Sequence, residues 1–397
     1  MPPLPPNRLD FDRNATSPLD PAVREAMLEA LTVALGNPSS VHGLGQTTRR
    51  LVDRARQQVA DALGVAAGEI VFTSGATEAN VLAWRGVLGH GKNGSAAVTT
   101  AVEHPSVRAV AAQLAGEGVA VASVGVDAEG RLRLPELAET LQGSAPGLLS
   151  LMAANNETGV LFPVATAAAL GRQAGATVHA DLTQALGRIH VTPKTWDLDL
   201  ASLSGHKLGA TPGVGALWVR RGVRLRALLP GHQELGQRAG TENVLGIIGL
   251  GAAMAALPQR LARAGEVRRL RDRLWSGLQA RVPGVLRNGD VSADLETGNT
   301  LNVSFAEVDG ATLLMALDLE DVLVSAGSAC SSGSLEPSHV LLAMHGESPE
   351  GRARARSALR FSLGLDHTDG QVDRLLDLLP ALVARVRRAA VGGRTPA

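Results

Sequence analysis

Short apolar runs alternate with helix-spaced apolar positions through residues 1–220, the pattern of strand–helix–strand units around a parallel sheet. The apolar runs predict strands at Ile70–Thr73, Ala97–Thr100, Val119–Val124, Leu148–Ala153, Val178–Asp181, Leu200–Ser204 and Val214–Val219. Helical spacing between them predicts Thr77–Leu88, Pro105–Ala115 and Pro163–Ala174. Upstream, Asp20-Pro21 supplies an N-cap and a first-turn proline, and Gly36 is the expected stop. A second helix is expected over Thr47–Leu63, ended by Gly64, with Leu51, Ala55, Val59 and Ala62 facing inward.

After about residue 255 the regular alternation is lost. A charged helix over Arg263–Arg281, a strand at Thr300–Phe305 and a helix at Thr312–Leu319 are expected. Strands at Val322–Ser325 and Arg360–Leu363 follow, with a closing helix over Val372–Arg388. The reading is a large α/β domain over 15–255 with a mostly parallel seven-stranded sheet, and a smaller α+β domain over 256–397 joined by 1–14.

Composition narrows the function. Lys+Arg and Asp+Glu each count 38 in 397 residues, so no net charge draws the chain to nucleic acid or an anionic membrane. Arg352, Arg354 and Arg356 are expected on a solvated helix face. No apolar run reaches the ~20 residues of a membrane span, and the Pro-rich start lacks the apolar stretch of a signal peptide. A single cysteine cannot form an intramolecular disulfide, which points to a reducing cytoplasm.

Candidate chemistry gathers at strand ends. Asp181 closes one apolar strand, where a carboxylate can ionise in a ligand crevice or merely set a turn. Lys207 follows the next strand in Ser204-Gly205-His206-Lys207, either as a desolvated amine suited to Schiff-base chemistry or as a solvated loop lysine. Together the two suit a pyridine aldehyde, which needs an acid at its ring nitrogen and an amine at its carbonyl. Phe72-Thr73-Ser74-Gly75-Ala76-Thr77 leads from strand to helix and offers N–H groups and hydroxyls to a phosphate, or ordinary capping. Glu103-His104-Pro105 places a histidine for stacking, proton transfer or capping, and Asn155-Asn156 offers amides or a tight turn. Cys330 lies in Ser325–Ser334, a run of small residues that favours an accessible thiol over an inert core one.

These stretches, with Arg238-Ala239-Gly240-Thr241-Glu242-Asn243 and Gly327–Pro337, resemble a cysteine desulfurase of the NifS/IscS type, in the class V aminotransferase family. The resemblance runs from Leu9-Asp10 to Leu363 and implies the fold type I of pyridoxal 5'-phosphate (PLP) enzymes. It implies that Lys207 holds the cofactor aldehyde, Asp181 pairs with the ring nitrogen and His104 stacks on the ring. Gln184 and Asn156 would contact the phenolic oxygen, and Ala76, Thr77, Ser204 and His206 the phosphate. Thr241 would reach the phosphate of a neighbouring subunit, making a homodimer with a shared site. Arg360 would clamp the carboxylate of L-cysteine, Asn14 would border the substrate, and Cys330 would take the sulfur as a persulfide and pass it to an acceptor protein, in iron–sulfur cluster assembly or tRNA or cofactor thiolation. No metal is implied. Selenocysteine lyases and aminotransferases of the same class are rival readings, as is a non-catalytic scaffold, which would be expected to have lost Lys207. The sequence departs from the usual pattern at Asp12-Arg13-Asn14-Ala15-Thr16-Ser17, at Pro230 and at Gln237.

Overall fold

Runs of four or five buried residues build the large sheet, because a strand covered on both faces needs no polar alternation. The computed structural model describes residues 8–33, 35–89, 95–290, 292–326 and 336–392. Among them the strands in chain order begin with β1 (Leu9–Asp10), β2 (Ile70–Thr73), β3 (Ala96–Thr100) and β4 (Ala120–Val124). β5 (Leu148–Met152), β6 (Thr177–Asp181), β7 (Leu200–Ser204) and β8 (Gly215–Val219) complete the large sheet. Its order is β2-β8-β7-β6-β5-β3-β4, parallel except for β8, which runs antiparallel to both neighbours. The expected mostly parallel seven-stranded sheet is the one observed.

The C-terminal part adds β9 (Val285–Asn288), β10 (Thr300–Phe305), β11 (Val322–Leu323), β12 (Ser325–Ala326) and β13 (Ala358–Ser362). β12-β13-β10-β9 form an antiparallel sheet, and β1 pairs in parallel with β11. The expected strand Val322–Ser325 is therefore two short strands serving different sheets. Leu9 and Phe11 enter the same apolar core as Leu274, Leu301, Phe361 and Leu375.

The first helix, Pro21–Thr32, stops before Gly36, and the second, Gly43–Leu63, begins at a His42 cap rather than at Thr47. Its buried face is Val52, Ala55, Val59, Ala60 and Leu63, whereas Leu51 and Ala62 are only half-buried. Helices at Leu134–Ser144 and Val244–Ala255 were not anticipated. Arg354 is half-buried rather than fully on a solvated face: its Nε donates to Asn288 Oδ1 and its Nη2 to the Arg287 carbonyl, both at 2.8 Å. Among the described residues no helix is long and apolar enough to cross a membrane.

A buried ion cluster ties the small sheet to the turn after β5. Glu296 is 2% exposed and accepts from Arg268 Nη1 at 2.9 Å, from Arg271 Nη1 at 2.6 Å, and from Arg271 Nη2 and Arg287 Nη2. On either side of it, Leu161 N donates to Leu295 O and Thr297 N to Gly159 O, both at 2.9 Å. Truncating one partner of such a cluster strands the others without a counter-charge. Glu296→Ala is expected to destabilise the fold by about 3–5 kcal/mol, read by denaturant unfolding; a change too small to resolve would mean that water reaches the cluster.

Candidate active site

A crevice beyond the carboxyl ends of parallel strands is where an open α/β sheet accepts ligands. β6 ends in Asp181, β7 in Ser204, and the turn after β3 carries Glu103 and His104. With the start of helix Ala76–Leu88, Asp181, Ser204 and His104 enclose a cavity of about 760 Å³. Asn14, Ala76, Thr77, His104, Asn156, Asp181, Gln184, Ser204, His206, Lys207 and Arg360 all line it, so sites scattered over most of the chain converge.

Lys207 sits in a 3-10 turn, Gly205–Leu208, directly after β7. Its Nζ donates to the carbonyls of Asn14 and Ala15, each at 2.6 Å. The N-terminal segment is laid along that turn, since Ser17 N donates to His206 O at 2.9 Å and Ser17 Oγ to Lys207 O at 2.8 Å. The amine is thus half-buried and oriented, not a solvated loop lysine.

Asp181 satisfies both of its sequence readings. Oδ1 accepts from Thr183 N at 2.9 Å, the turn-forming contact, while Oδ2 accepts from Asn80 Nδ2 at 2.8 Å. His104 likewise caps helix Pro105–Gly116, accepting from Ser106 N through Nδ1 at 3.1 Å, and still lines the cavity. Burial pushes its pKa down, Asp181 opposes that shift and Lys207 adds to it.

The opposite wall suits an anion. Helix Ala76–Leu88 starts at Gly75 with no side-chain cap, leaving first-turn N–H groups to the cavity. The Thr77 hydroxyl makes no hydrogen bond among the described residues, whereas Ser74 is engaged by the Glu78 carboxylate. A Cβ at Gly215 would lie 2.6 Å from Gly75 Cα, so glycine lets β8 pass behind this turn. His206 is pushed down to about 4 by burial, reinforced by the neighbouring Lys207 and His104. Uncapped N–H groups, hydroxyls and a neutral histidine beside an ammonium fit a phosphate. Across from them a carboxylate and an amine fit a ring nitrogen and an aldehyde, so the donor set fits PLP.

The third side is a polar hub. Arg360, on β13 and 3% exposed, donates from Nη1 to Asn156 O at 3.0 Å and from Nη2 to Asp12 Oδ1 at 2.7 Å. Each of its Nη atoms carries a second hydrogen that a ligand carboxylate can take. Asn14 is buried and does more than border the cavity. Its Nδ2 donates to Asn156 O at 3.1 Å and Thr300 Oγ1 at 2.8 Å, and its Oδ1 accepts from Asn299 at 3.0 Å and Arg188 at 3.1 Å. Gln184 Nε2 donates to Asn14 O at 3.1 Å, while its Oε1 is buried without a partner.

Two carboxylates here carried no sequence assignment. Burial pushes Glu157 up to about 7, against the Ser338 hydroxyl and Arg360 that favour its charged form. Glu103, behind Asp181, is pushed up to about 8 by burial, although Thr100 Oγ1 at 2.7 Å and Met152 N at 2.9 Å both donate to its Oε1. A raised carboxyl pKa means that the native state holds a proton the unfolded chain has released. Its contribution to stability is full below 4.5 and is lost as pH rises towards 8. Glu103→Gln is expected to flatten the fall of Tm across that window; an unchanged slope would place the titration elsewhere.

Thr241 is exposed and outside this cavity lining, and Cys330 lies outside the described residues. Asn80, Ser106, Arg108, Glu157 and His339 belong to the site or its immediate support without having been anticipated.

The profile of the family described as Aminotransferase class-V matches residues 10–375. A cysteine desulfurase of Gluconacetobacter diazotrophicus is 44% identical over 385 residues, covering 96% of this chain and 94% of the relative. Cysteine desulfurase NifS of Azotobacter vinelandii is 41% identical over 383 residues, covering 96% and 94%. Among solved structures, a NifS-like protein superposes with a TM-score of 0.87 at 34% identity, covering 95% of this chain and all (100%) of the other.

Proposed function

We infer that this chain, which belongs to the aminotransferase class-V family, is a PLP-dependent cysteine desulfurase. The observation that carries the reading is the convergence of Lys207, Asp181, His104 and Arg360 on one cavity whose far wall suits a phosphate. The names of the relatives at 44% and 41% identity support the same activity.

PLP, when bound, supplies an electron sink for chemistry at the substrate carbons. Asp181 would keep the ring nitrogen protonated, and the first turn of helix Ala76–Leu88 with Thr77, Ser204 and His206 would hold the phosphate. Arg360, fixed by Asp12 and the Asn156 carbonyl, would orient L-cysteine through its carboxylate. Lys207 Nζ, set between two carbonyls, would take and return the proton at the substrate carbon. The Cys330 thiolate would then attack the substrate Sγ. An S–S bond forms as the Cβ–Sγ bond breaks, and the carbon skeleton keeps the electron pair, gains a proton and leaves as alanine. Thr241, exposed in this chain, would serve the phosphate of a second subunit, and an acceptor protein would remove the sulfur from Cys330.

Adding PLP to the purified protein is expected to give a visible absorption band, and L-cysteine with a reductant to give alanine and sulfide in equal amounts. Absence of the band, or a product other than alanine, would refute the assignment.

A further inference from the structure

A hydrogen-bond path in the cavity wall joins Asp181 to His104 through two residues that none of the sequence motifs assign. Asn80 is fully buried in helix Ala76–Leu88. Its Nδ2 donates to Asp181 Oδ2 at 2.8 Å and to Ser106 Oγ at 3.0 Å. Ser106 Oγ in turn lies 2.8 Å from His104 Nδ1, the nitrogen that accepts from Ser106 N at 3.1 Å.

The direction of each bond follows from the Asp181 end. Both Asp181 oxygens accept from N–H donors, Oδ1 from Thr183 N and Oδ2 from the Asn80 amide. Asn80 must therefore present its NH₂ to Asp181, since the opposite amide flip would set oxygen against oxygen. The second hydrogen on that nitrogen goes to Ser106 Oγ. A hydroxyl that accepts from Asn80 has one hydrogen to give, and His104 Nδ1 is the acceptor within reach. The single lone pair of Nδ1 is shared by the Ser106 hydroxyl and backbone N–H, so Nδ1 carries no proton and the imidazole hydrogen lies on Nε2. The orientation has a cost: Asn80 Oδ1 is buried without a partner. Such an orphan persists where the other bonds of the group outweigh it.

We propose that Asn80 and Ser106 are positioning residues that link Asp181 to His104 and hold His104 as the Nε2–H tautomer. His104 then meets the cofactor or substrate as a hydrogen-bond donor. It cannot take a proton at Nε2, which already holds one, so proton abstraction falls to Lys207. This inference deepens the functional reading above and rests on it only for what occupies the cavity.

The test is ¹⁵N NMR of the PLP-loaded protein carrying ¹⁵N-labelled histidine, with the His104 resonances assigned by their loss in His104→Gln. At neutral pH the expected result is an unprotonated Nδ1 and a protonated Nε2. Ser106→Ala, which keeps the backbone N–H on Nδ1 but removes the hydroxyl hydrogen bond, should shift the Nδ1 resonance, and Ser106→Thr, which keeps the hydroxyl, should restore it. A protonated Nδ1 in the unmodified protein would overturn the proposal, as would resonances that Ser106→Ala leaves in place. The readout needs no turnover, so a protein inactive on cysteine would sink the functional reading and leave this one standing.

Discussion

Lys207→Ala is expected to lower alanine release from L-cysteine by on the order of 10⁴-fold or more, because one amine both holds the cofactor and moves the substrate proton. The fold should survive. The turn around Lys207 is held by its backbone: Ala210 N donates to Gly205 O at 3.0 Å, Ser17 Oγ bonds the Lys207 carbonyl at 2.8 Å, and Gly209 takes the left-handed conformation at φ 77°. What the substitution removes is the pair of 2.6 Å contacts from Nζ to the Asn14 and Ala15 carbonyls, which water can replace at a half-buried position. Alanine quantification beside a thermal melt checks both halves. Turnover within tenfold of the unmodified protein would show that Lys207 does not carry the cofactor.

Cys330→Ala is expected to remove the sulfur transfer while sparing everything before it. Loss of a nucleophile with no substitute at hand costs on the order of 10³-fold or more in turnover. Cys330 is the only cysteine in the sequence, so no second thiol can take over. The change keeps Lys207, Asp181 and the phosphate-wall residues in the chain, and the visible cofactor band should remain. Band retention with lost alanine release separates this variant from Lys207→Ala, in which both are lost. Alanine formed by Cys330→Ala at the unmodified rate would mean that the sulfur leaves without passing through a protein thiol.

The sheet was legible because its strands are unbroken apolar runs. Ile70–Thr73 and Leu200–Ser204 fall at the expected bounds, and every residue in both is buried. Helix Val244–Ala255 was not legible, since a segment that is apolar all round shows no stripe and its three glycines each cost ~1 kcal/mol of helix propensity. Packing accounts for those glycines: a Cβ at Gly251 would lie 2.8 Å from Ala55 Cα, and one at Gly249 3.1 Å from Met27 Sδ. Tertiary contact decides that helix, and a linear pattern does not contain it.

The site divides in a similar way. Asp181, Lys207 and His104 could be picked out because each sits at a strand end with a chemical reason to be there. Asn80 and Glu157 had none, one lying mid-helix and the other in a turn. A trace of Asn80 was present, because Ala83 and Trp84, three and four residues on, are buried and put it on the same inward face. Asn14 could be placed near the substrate by resemblance alone. Its part in joining the N-terminal segment to Asn156 and Thr300 depends on contacts across 142 and 286 residues of sequence.

The most direct test of sulfur transfer to this protein is mass spectrometry of the peptide carrying Cys330 after L-cysteine is added to the PLP-loaded protein without reductant. A gain of one sulfur atom on Cys330 is expected, with one alanine released per sulfur retained. Alanine released while Cys330 keeps its original mass would contradict the transfer.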